Sequence, residues 1–326
     1  MFKKLLVPLD RSPLAEQAIG QAAAIARKSN AGMDVVLVHQ PVPYAGFTDI
    51  PWYGDQWKEE LMYVESIATE LEKGSGVFTT FAVPKGDVVD EICNRAVEVD
   101  ADLVVMTSHG RTGLSRVWLG SVADGVIRHS KVPVLMLRPL ATRKSVQAAH
   151  GLFKHIVITL DGSTLAEEIL SPALALARCA DARVTLLRVV QPVPMLIPDA
   201  GVPYAYSAPV PDPAITKTLA DEAREQLDAS VERIRAQGFK VDCEVVVSAR
   251  VAQSILEFAE SRGADMIALS THGRGASRLI VGSTADKIIR ASSVPVLLQR
   301  PVGVRNVERL ATPASAEAVS PAMAHV

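Results

Sequence analysis

The sequence is poor in cysteine, has no long apolar run and carries almost no net charge. Its three cysteines, Cys93, Cys179 and Cys243, form no CxxC pair and have no histidine at ligand spacing, so we expect neither a disulfide framework nor a zinc site. No apolar stretch approaches the roughly 18 to 20 residues that span a membrane. The 34 basic side chains nearly balance the 36 acidic ones, which argues against a basic face for nucleic acid. These absences favour a cytoplasmic protein without a bound metal and with neither a membrane nor nucleic acid as its partner.

The chain does contain an internal repeat. Its 326 residues are enough for two domains of about 150, and 48% of them are hydrophobic, so each half can bury a core. Three segments of the first half return in the same order in the second: 4–12 as 155–163, 101–111 as 264–274, and 132–139 as 294–301. Three collinear matches indicate a tandem duplication. We therefore predict one domain over 1–140, a second over 152–301 and a flexible tail over 302–326.

The spacing between the two copies is not constant. It is 151 residues from Asp10 to Asp161 but 162 residues from Pro133 to Pro295, so the second copy carries a net insertion. The stretch 191–215 contains seven prolines, a composition typical of connecting loops. We predict that the insertion lies there.

Each copy alternates short apolar runs with helical patterns. Five runs of the first half are apolar nearly throughout, which is typical of strands buried on both faces of a parallel sheet: 5–9, 34–38, 77–83, 103–106 and 134–137. After the first run, Ser12 and Pro13 form a favoured helix start, and apolar residues then recur at helical spacing. The pattern predicts an α/β fold in which each half has a five-stranded parallel sheet with helices on both faces.

Polar residues follow two of these strands in each half. In such a sheet, ligands bind beyond the carboxyl ends of the strands. Strand one ends at Asp10 in the first copy and Asp161 in the second, and either carboxylate could accept a hydrogen bond from a ribose hydroxyl. The loop after strand four contains glycines that let backbone N–H groups approach a ligand, and Ser121 then opens a helix whose N-terminus favours an anion. A ribose contact beside an anion site predicts a nucleotide.

The glycine loop carries a family resemblance. It reads Thr107-x2-Gly110-x9-Gly120-Ser121, which resembles the motif G-x2-G-x9-G-[S/T] of the ATP-binding branch of the universal stress protein family. The resemblance covers nearly the whole chain in both copies, so the chain is similar to the tandem two-domain members. It implies two Rossmann-like domains of the adenine nucleotide alpha hydrolase-like type, with ATP or AMP as the bound ligand and Mg2+ accompanying ATP. It also implies a regulator of the stress response that does not turn the nucleotide over rapidly.

The resemblance assigns nucleotide-binding residues to the first half. These are Pro8, Leu9, Asp10, Gln40, Thr107, Gly110, Arg111, Gly120, Ser121 and Val122. Among them, Asp10 corresponds to the ribose ligand of the family and Val122 to a backbone contact at the phosphates. Gln40 stands at an adenine-pocket position that is usually Val.

The resemblance assigns a corresponding set to the second half. These residues are Thr159, Leu160, Asp161, Val189, Ser270, Gly273, Arg274, Gly282, Ser283 and Thr284. This half departs further from the family, because its loop reads S-x2-G-x8-G-S, one residue shorter, and Thr159 stands in place of Pro8.

Other interpretations of the same residues stay open. Ser121 and Ser283, followed three residues later by Asp124 and Asp286, also fit approximate capping boxes, and the glycines also fit tight turns. The chain has no Walker-type lysine after the glycines and no nucleophile beside a base, which argues against efficient phosphoryl transfer, so we assign no catalytic residue. The alternatives to a nucleotide-binding regulator are an interaction scaffold independent of nucleotide and a weak ATPase or autokinase.

The resemblance also implies an assembly. Single-domain members of the family pair through their fifth strands, which correspond here to 132–138 and 294–300. An unpaired apolar edge strand is an aggregation hazard. We therefore predict that the two halves pair with each other about an approximate two-fold axis, with the fifth strands antiparallel. A further homodimer is compatible with this arrangement and is not required by it.

Overall fold

The computed structural model describes residues 1–40, 51–108, 119–138, 152–196, 209–271 and 281–301. The first half has strands β1 (Lys4–Leu9), β2 (Gly32–Leu37), β3 (Thr79–Ala82), β4 (Leu103–Thr107) and β5 (Val134–Leu137), with helices α1 (Pro13–Ser29), α2 (Pro51–Ser75), α3 (Val88–Glu98) and α4 (Ser121–His129). The second half has strands β6 (His155–Thr159), β7 (Arg183–Val190), β8 (Pro194–Leu196), β9 (Pro209–Pro211), β10 (Val241–Val247), β11 (Met266–Ser270) and β12 (Val296–Gln299). Its helices are α5 (Thr164–Glu167), α6 (Leu170–Ala180), α7 (Pro213–Arg235), α8 (Val251–Ser261) and α9 (Ser283–Ala291). The tail predicted over 302–326 lies outside the described residues.

Ten of these strands form one continuous sheet. Their order is β10-β7-β6-β11-β12-β5-β4-β1-β2-β3, so each half contributes five neighbouring strands that run parallel to one another. The halves join where β5 and β12 pair antiparallel, with Leu135 opposite Leu297. The predicted fold class and the pairing of the fifth strands are thereby confirmed.

Helices cover both faces of the sheet. One apolar cluster lies between the sheet and α1, α2, α6 and α7, and a second lies between the sheet and α3, α4, α8 and α9. Because successive strand residues point to opposite faces, Leu135 and Leu297 belong to the first cluster, while the adjacent Met136 and Val296 belong to the second. Each cluster therefore crosses the joint, and the two halves share their core. No helix within the described ranges is long and apolar enough to cross a membrane.

Polar side chains also bridge the two halves. Ser29 at the end of α1 lies with its Oγ 2.8 Å from the Sγ of Cys179 in α6, and both side chains are buried. Arg138, just beyond β5, donates to the carbonyl oxygen of Ile289 in α9. Burial lowers the pKa of Arg138 to about 10. The joint therefore combines a sheet ladder, two apolar clusters and buried polar contacts.

The first helix shows how local sequence sets the elements. The Oγ of Ser12 accepts the N–H of Ala15 at 3.1 Å, and Pro13 occupies the first helical position, where the missing N–H costs nothing. The helix ends at Asn30, whose φ of 54° is left-handed. The predicted helix start at Ser12 and Pro13 is confirmed.

Strand register locates the insertion of the second half. Thr80 and Asp242 occupy the same place on the third strand, because they pair with the equivalent residues Asp34 and Thr185. The spacing between the copies has therefore reached 162 residues at this point, after 151 residues on the first two strands. The added residues therefore lie between the second and third strands of the second half, a span that contains the hairpin β8–β9 and the proline-rich stretch 191–215 where the sequence predicts the insertion.

Candidate functional site

A cavity of about 1000 Å3 opens at the carboxyl ends of the strands in the second half. Eight of its lining residues are ones that the sequence predicts for nucleotide binding: Thr159, Leu160, Asp161, Val189, Ser270, Gly282, Ser283 and Thr284. They come from the ends of β6, β7 and β11 and from the start of α9. Gly273 and Arg274 lie outside the described residues. Residues far apart in the sequence thus surround a single space.

The first half places its predicted residues at the equivalent edge of the sheet. The described members are Pro8, Leu9, Asp10, Thr107, Gly120, Ser121 and Val122, at the ends of β1 and β4 and the start of α4. The N–H of Gly120 donates to the carbonyl oxygen of Ser108 at 3.0 Å, which holds the start of α4 against the end of β4. Gly110 and Arg111 lie outside the described residues.

The aspartate turn after strand one has the same geometry in both halves. Asp10 accepts the backbone N–H of Ser12 at 2.9 Å, and Asp161 accepts the N–H of Ser163 at the same distance. The hydroxyl of Ser163 donates to the same Asp161 oxygen at 2.6 Å. Each carboxylate is therefore fixed by its own turn at the carboxyl edge of the sheet, before any ligand arrives.

The helices α4 and α9 begin without a side-chain cap. Their N-cap residues are Gly120 and Gly282, and among the described residues no side chain makes the capping hydrogen bond. Ser121 and Ser283 are the first helical residues rather than caps, so the capping-box interpretation is wrong for both. Backbone N–H groups at such a helix start attract an anion, because they are aligned with the positive end of the helix dipole.

Gly282 also has a steric reason to be glycine. Its N–H donates to the carbonyl oxygen of Thr271 at 2.8 Å. A Cβ at this position would lie 3.0 Å from that same oxygen, closer than nearly all real Cβ contacts. The glycine therefore lets the start of α9 approach the end of β11 and holds it at the mouth of the cavity.

Strand register shows that the predicted adenine positions of the two halves are not equivalent. Pro8 pairs with Val36 as Thr159 pairs with Leu187, so the counterpart of Val189 is Val38 and not Gln40. Val38 and Val189 pack against the same apolar cluster, whereas Gln40 is exposed. Gln40 is instead the counterpart of Gln191, which also lines the cavity, so the predictions for the two halves name different positions of the same segment.

Charged pairs from both halves line one end of the cavity. On α9, Arg290 donates to Asp286 at 2.9 Å; on α4 of the first half, Arg128 donates to Asp124 at 2.8 Å. Arg128, Asp286 and Arg290 all line the cavity. The pKa of Arg128 is raised first by its bond to Asp124 and further by Asp286 across the joint, so the two pairs lie close together. The cavity of the second half is therefore built in part from the first half.

Three arginines that line the cavity, Arg128, Arg188 and Arg290, are absent from the sequence prediction. Arg188 in β7 lines the cavity and interrupts a largely apolar run, V-T-L-L-R-V-V, so a charge within a buried strand is the signal that could have found it. Arg128 carries no such signal, because its position depends on the antiparallel pairing of β5 and β12.

The two halves together define a tandem α/β protein. At the same edge of the sheet, each half has an aspartate turn and a helix whose N-cap residue is glycine. The chain belongs to the universal stress protein family: the sequence model of that family matches residues 1–138 and 152–300.

Solved structures and curated relatives agree with this assignment. A universal stress protein from Archaeoglobus fulgidus superposes with a TM-score of 0.66 over 91% of this chain and 98% of its own, and its 22% identity makes this a likeness of fold. Universal stress protein MJ0531 of Methanocaldococcus jannaschii is 31% identical over 145 residues, which are 42% of this chain and 83% of that protein. Universal stress protein YxiE of Bacillus subtilis is 31% identical over 150 residues, 42% of this chain and all of that protein. Proteins of this size correspond to one half of the present chain.

Proposed function

We propose that this protein binds an adenine nucleotide, ATP or AMP, and acts as a cytoplasmic regulator of the stress response without rapid turnover. The observation that carries the proposal is the cavity of the second half, which gathers Asp161, Val189, Gly282 and Ser283 in one space. Family membership adds the stress-response context.

The cavity offers a distinct environment to each part of a nucleotide. Val189 gives an apolar contact for the adenine ring, and the fixed carboxylate of Asp161 gives an acceptor for a ribose hydroxyl. The start of α9, with Gly282, Ser283 and Thr284, gives N–H and hydroxyl donors for phosphate oxygens. Mg2+ would enter with ATP and be held by its phosphates.

The first half has the matching parts of a second site. Val38, Asp10 and the start of α4 occupy the places of Val189, Asp161 and the start of α9. Gly110 and Arg111 of the first half, and Gly273 and Arg274 of the second, complete the proposed sites. The proposal therefore allows up to two nucleotides per chain.

Isothermal titration of the full chain with ATP, ADP and AMP tests the proposal. We expect saturable binding, and Asp161→Ala should weaken binding at the second site by about tenfold or more, because a buried charge-assisted hydrogen bond is lost. Asp10→Ala should act in the same way on the first site, so the two variants assign the sites. Asp212→Ala is the matched control, since Asp212 caps α7 and does not line the cavity.

Two further results bear on the alternatives. No heat with any of the three nucleotides, from protein whose circular dichroism is native, would contradict the proposal and favour a nucleotide-independent scaffold. Phosphate release that is proportional to protein and lost in Asp10→Ala would contradict the absence of turnover and favour a weak ATPase or autokinase.

A further inference from the structure

The first half contributes Arg128 to the cavity of the second half. Arg128 lies in the last turn of α4, and Arg290 occupies the equivalent place in the last turn of α9. Both side chains line the cavity, and they are 28% and 35% exposed, so neither is withdrawn into the core. One end of the cavity therefore presents a guanidinium from each half.

Each of these two arginines uses one edge of its guanidinium within its own helix. The Nε and Nη2 atoms of Arg128 donate to the two carboxylate oxygens of Asp124 at 2.8 and 2.9 Å. The Nε of Arg290 donates to the two oxygens of Asp286 at 2.9 and 3.0 Å. No other acceptor among the described residues takes a hydrogen bond from either guanidinium. Nη1 of Arg128 and both terminal nitrogens of Arg290 thus keep N–H donors for a ligand.

The charges at this end of the cavity favour an anion. The pKa of Arg290 is raised chiefly by its hydrogen bond to Asp286, whereas the positive charge of Arg128 acts in the opposite direction, so the two guanidiniums lie close enough to repel each other. Asp124 does not line the cavity, and the ionisable side chains that do are three arginines and two aspartates. The planar arrangement of N–H donors in arginine matches the oxygens of a phosphate, and an anion between the two guanidiniums would relieve their repulsion.

The two arginines lie beyond the proposed phosphate site along α9. Ser283, Asp286 and Arg290 are three and four residues apart, so they share one face of the helix, and all three line the cavity. Arg290 follows Ser283 by about 10 Å along the helix axis, at the rise of an α-helix. A single phosphate at the start of α9 therefore leaves the arginines without a ligand, whereas a chain of phosphates extends from the helix start toward them.

We propose that Arg128 of the first half determines the specificity of the cavity in the second half, by binding the terminal phosphates of adenosine triphosphate together with Arg290. The start of α9 binds the phosphate nearest the ribose. The cavity of the second half therefore takes ATP in preference to AMP, and it is incomplete without a side chain of the first half. This inference rests on the proposed function, which does not choose between ATP and AMP.

Titration calorimetry of the full chain with ATP, ADP and AMP tests the role of Arg128. We expect ATP to bind the second site about tenfold tighter than AMP, because charge-assisted contacts with the terminal phosphates are gained. Arg128→Met should weaken ATP binding by about five- to tenfold and leave AMP binding unchanged, because AMP does not reach Arg128. Arg128→Lys, which keeps the charge, should retain part of the preference. The heat that Asp161→Ala removes belongs to the second site.

Asp124→Asn separates the charge of Arg128 from its ion pair. It removes the carboxylate partner but leaves the guanidinium at the cavity, so the preference for ATP should persist. Arg224→Met is the matched control for the loss of an arginine, because Arg224 pairs with Asp228 four residues on in α7 and does not line the cavity. Its affinities for ATP and AMP should equal those of the parent protein.

Equal affinities of the second site for ATP and AMP would overturn the inference and leave the proposed function intact. Binding of none of the three nucleotides would overturn both. A preference for ATP that survives Arg128→Met unchanged would overturn the role of Arg128. The same holds if Arg128→Met loses ATP and AMP binding equally, or if Asp124→Asn abolishes the preference as completely as Arg128→Met.

Discussion

A single exchange of residues separates the two aspartate turns. In the first half the turn continues with Arg11, whose φ of 65° is left-handed, and in the second with Gly162, whose φ is 81°. Both residues have a left-handed φ, and a Cβ at Gly162 would lie 2.7 Å from Nη1 of Arg188, so the guanidinium would have to shift to admit a side chain. In the first half Leu37 is the counterpart of Arg188 by strand register, and a side chain fits after the aspartate. The two positions therefore constrain each other across the sheet edge.

Gly162→Ala should destabilise the chain by about 2 kcal/mol or more, since the new Cβ meets both an unfavourable φ and the Arg188 guanidinium. Gly238→Ala is the matched control: its φ is 88° but a Cβ there meets nothing within 4 Å, so about 1 kcal/mol is expected. Urea unfolding gives both free energies. Combining Gly162→Ala with Arg188→Leu should bring the loss down to that of the control. Equal losses of unfolding free energy in Gly162→Ala and Gly238→Ala would show that the Arg188 guanidinium does not contribute to the cost at Gly162.

His155 makes stability depend on pH in the second half. Burial lowers the pKa of His155, and the nearby Arg183 lowers it further. The folded state therefore favours the neutral ring, so stability is lost as pH falls through about 6.5, the pKa of histidine in the unfolded chain. We expect His155→Gln to lose less stability than the parent protein between pH 7.5 and about 5.5. Urea midpoints at the two pH values measure this, and parallel shifts in both proteins would contradict it.

The second strands of the two halves carry different buried polar side chains at the same position. In the first half Asp34 of β2 is fully buried and accepts two hydrogen bonds from Arg95 of α3, at 2.8 and 2.9 Å, and one from Thr80 of β3 at 2.5 Å. In the second half the place of Asp34 is taken by Thr185, whose Oγ1 lies 2.9 Å from the Nε2 of His155. The first half thus connects a strand to a helix through an ion pair, whereas the contact of the second half joins two neighbouring strands.

Arg95→Met should cost about 3–5 kcal/mol, because it leaves the Asp34 carboxylate buried without its cation. The second half has Thr185 in place of Asp34 and Phe258 in place of Arg95. The double variant Asp34→Thr, Arg95→Phe installs both residues, and we expect it to recover much of the lost stability. Guanidinium-induced unfolding compares the variants. A double variant less stable than Arg95→Met would show that the ion pair is not interchangeable with the packing of the second half.

Most of the elements could be predicted because their signals are local. The runs 5–9 and 134–137 correspond to β1 and β5 within one residue, since strands buried on both faces are apolar throughout. The run 77–83 overstates β3, which covers only Thr79–Ala82 at an edge of the sheet. The hairpin β8–β9 carries no strand signal, because its sequence is rich in proline.

The sequence could predict only those site residues that stand out from their immediate neighbours in the chain. Asp161 ends an apolar strand and Gly282 precedes a helix, so both stand out in the sequence. Gln40 and Val189 are not equivalent positions, and the sequence alone does not show this because Gln40 adjoins the loop in which the two copies differ in length. The position of Arg128 at the cavity depends on packing between distant segments, which no local pattern records.

The two halves share one sheet and both apolar clusters, so we expect them to unfold together. Both apolar clusters cross from β5 to β12, and Arg138 reaches a carbonyl of the opposite half. The three tryptophans of the chain all precede residue 119, so their fluorescence reports on the first half, while circular dichroism reports on both. These two signals can therefore measure how tightly the halves are coupled.

Leu135→Lys should uncouple the halves, because it places a charge at a fully buried position opposite Leu297. We expect fluorescence and circular dichroism to give coincident urea transitions for the parent protein and separate transitions for the variant. Leu135→Ala is the control: it costs about 2–5 kcal/mol through a cavity but leaves the ladder apolar, so its transitions should stay coincident. Coincident transitions in Leu135→Lys would show that the coupling lies elsewhere.

The antiparallel pairing of β5 with β12 within one chain allows the two halves to acquire substitutions independently. In a symmetric dimer of single-domain chains, every substitution appears at both sites at once. Here the same interface is closed within one polypeptide, so a substitution alters one half and leaves the other as it was. Leu37 and Arg188 show such a divergence at one strand position. A covalently fixed pair can thus let its two halves diverge while it keeps them at a ratio of one to one, which no mixture of separate chains could guarantee.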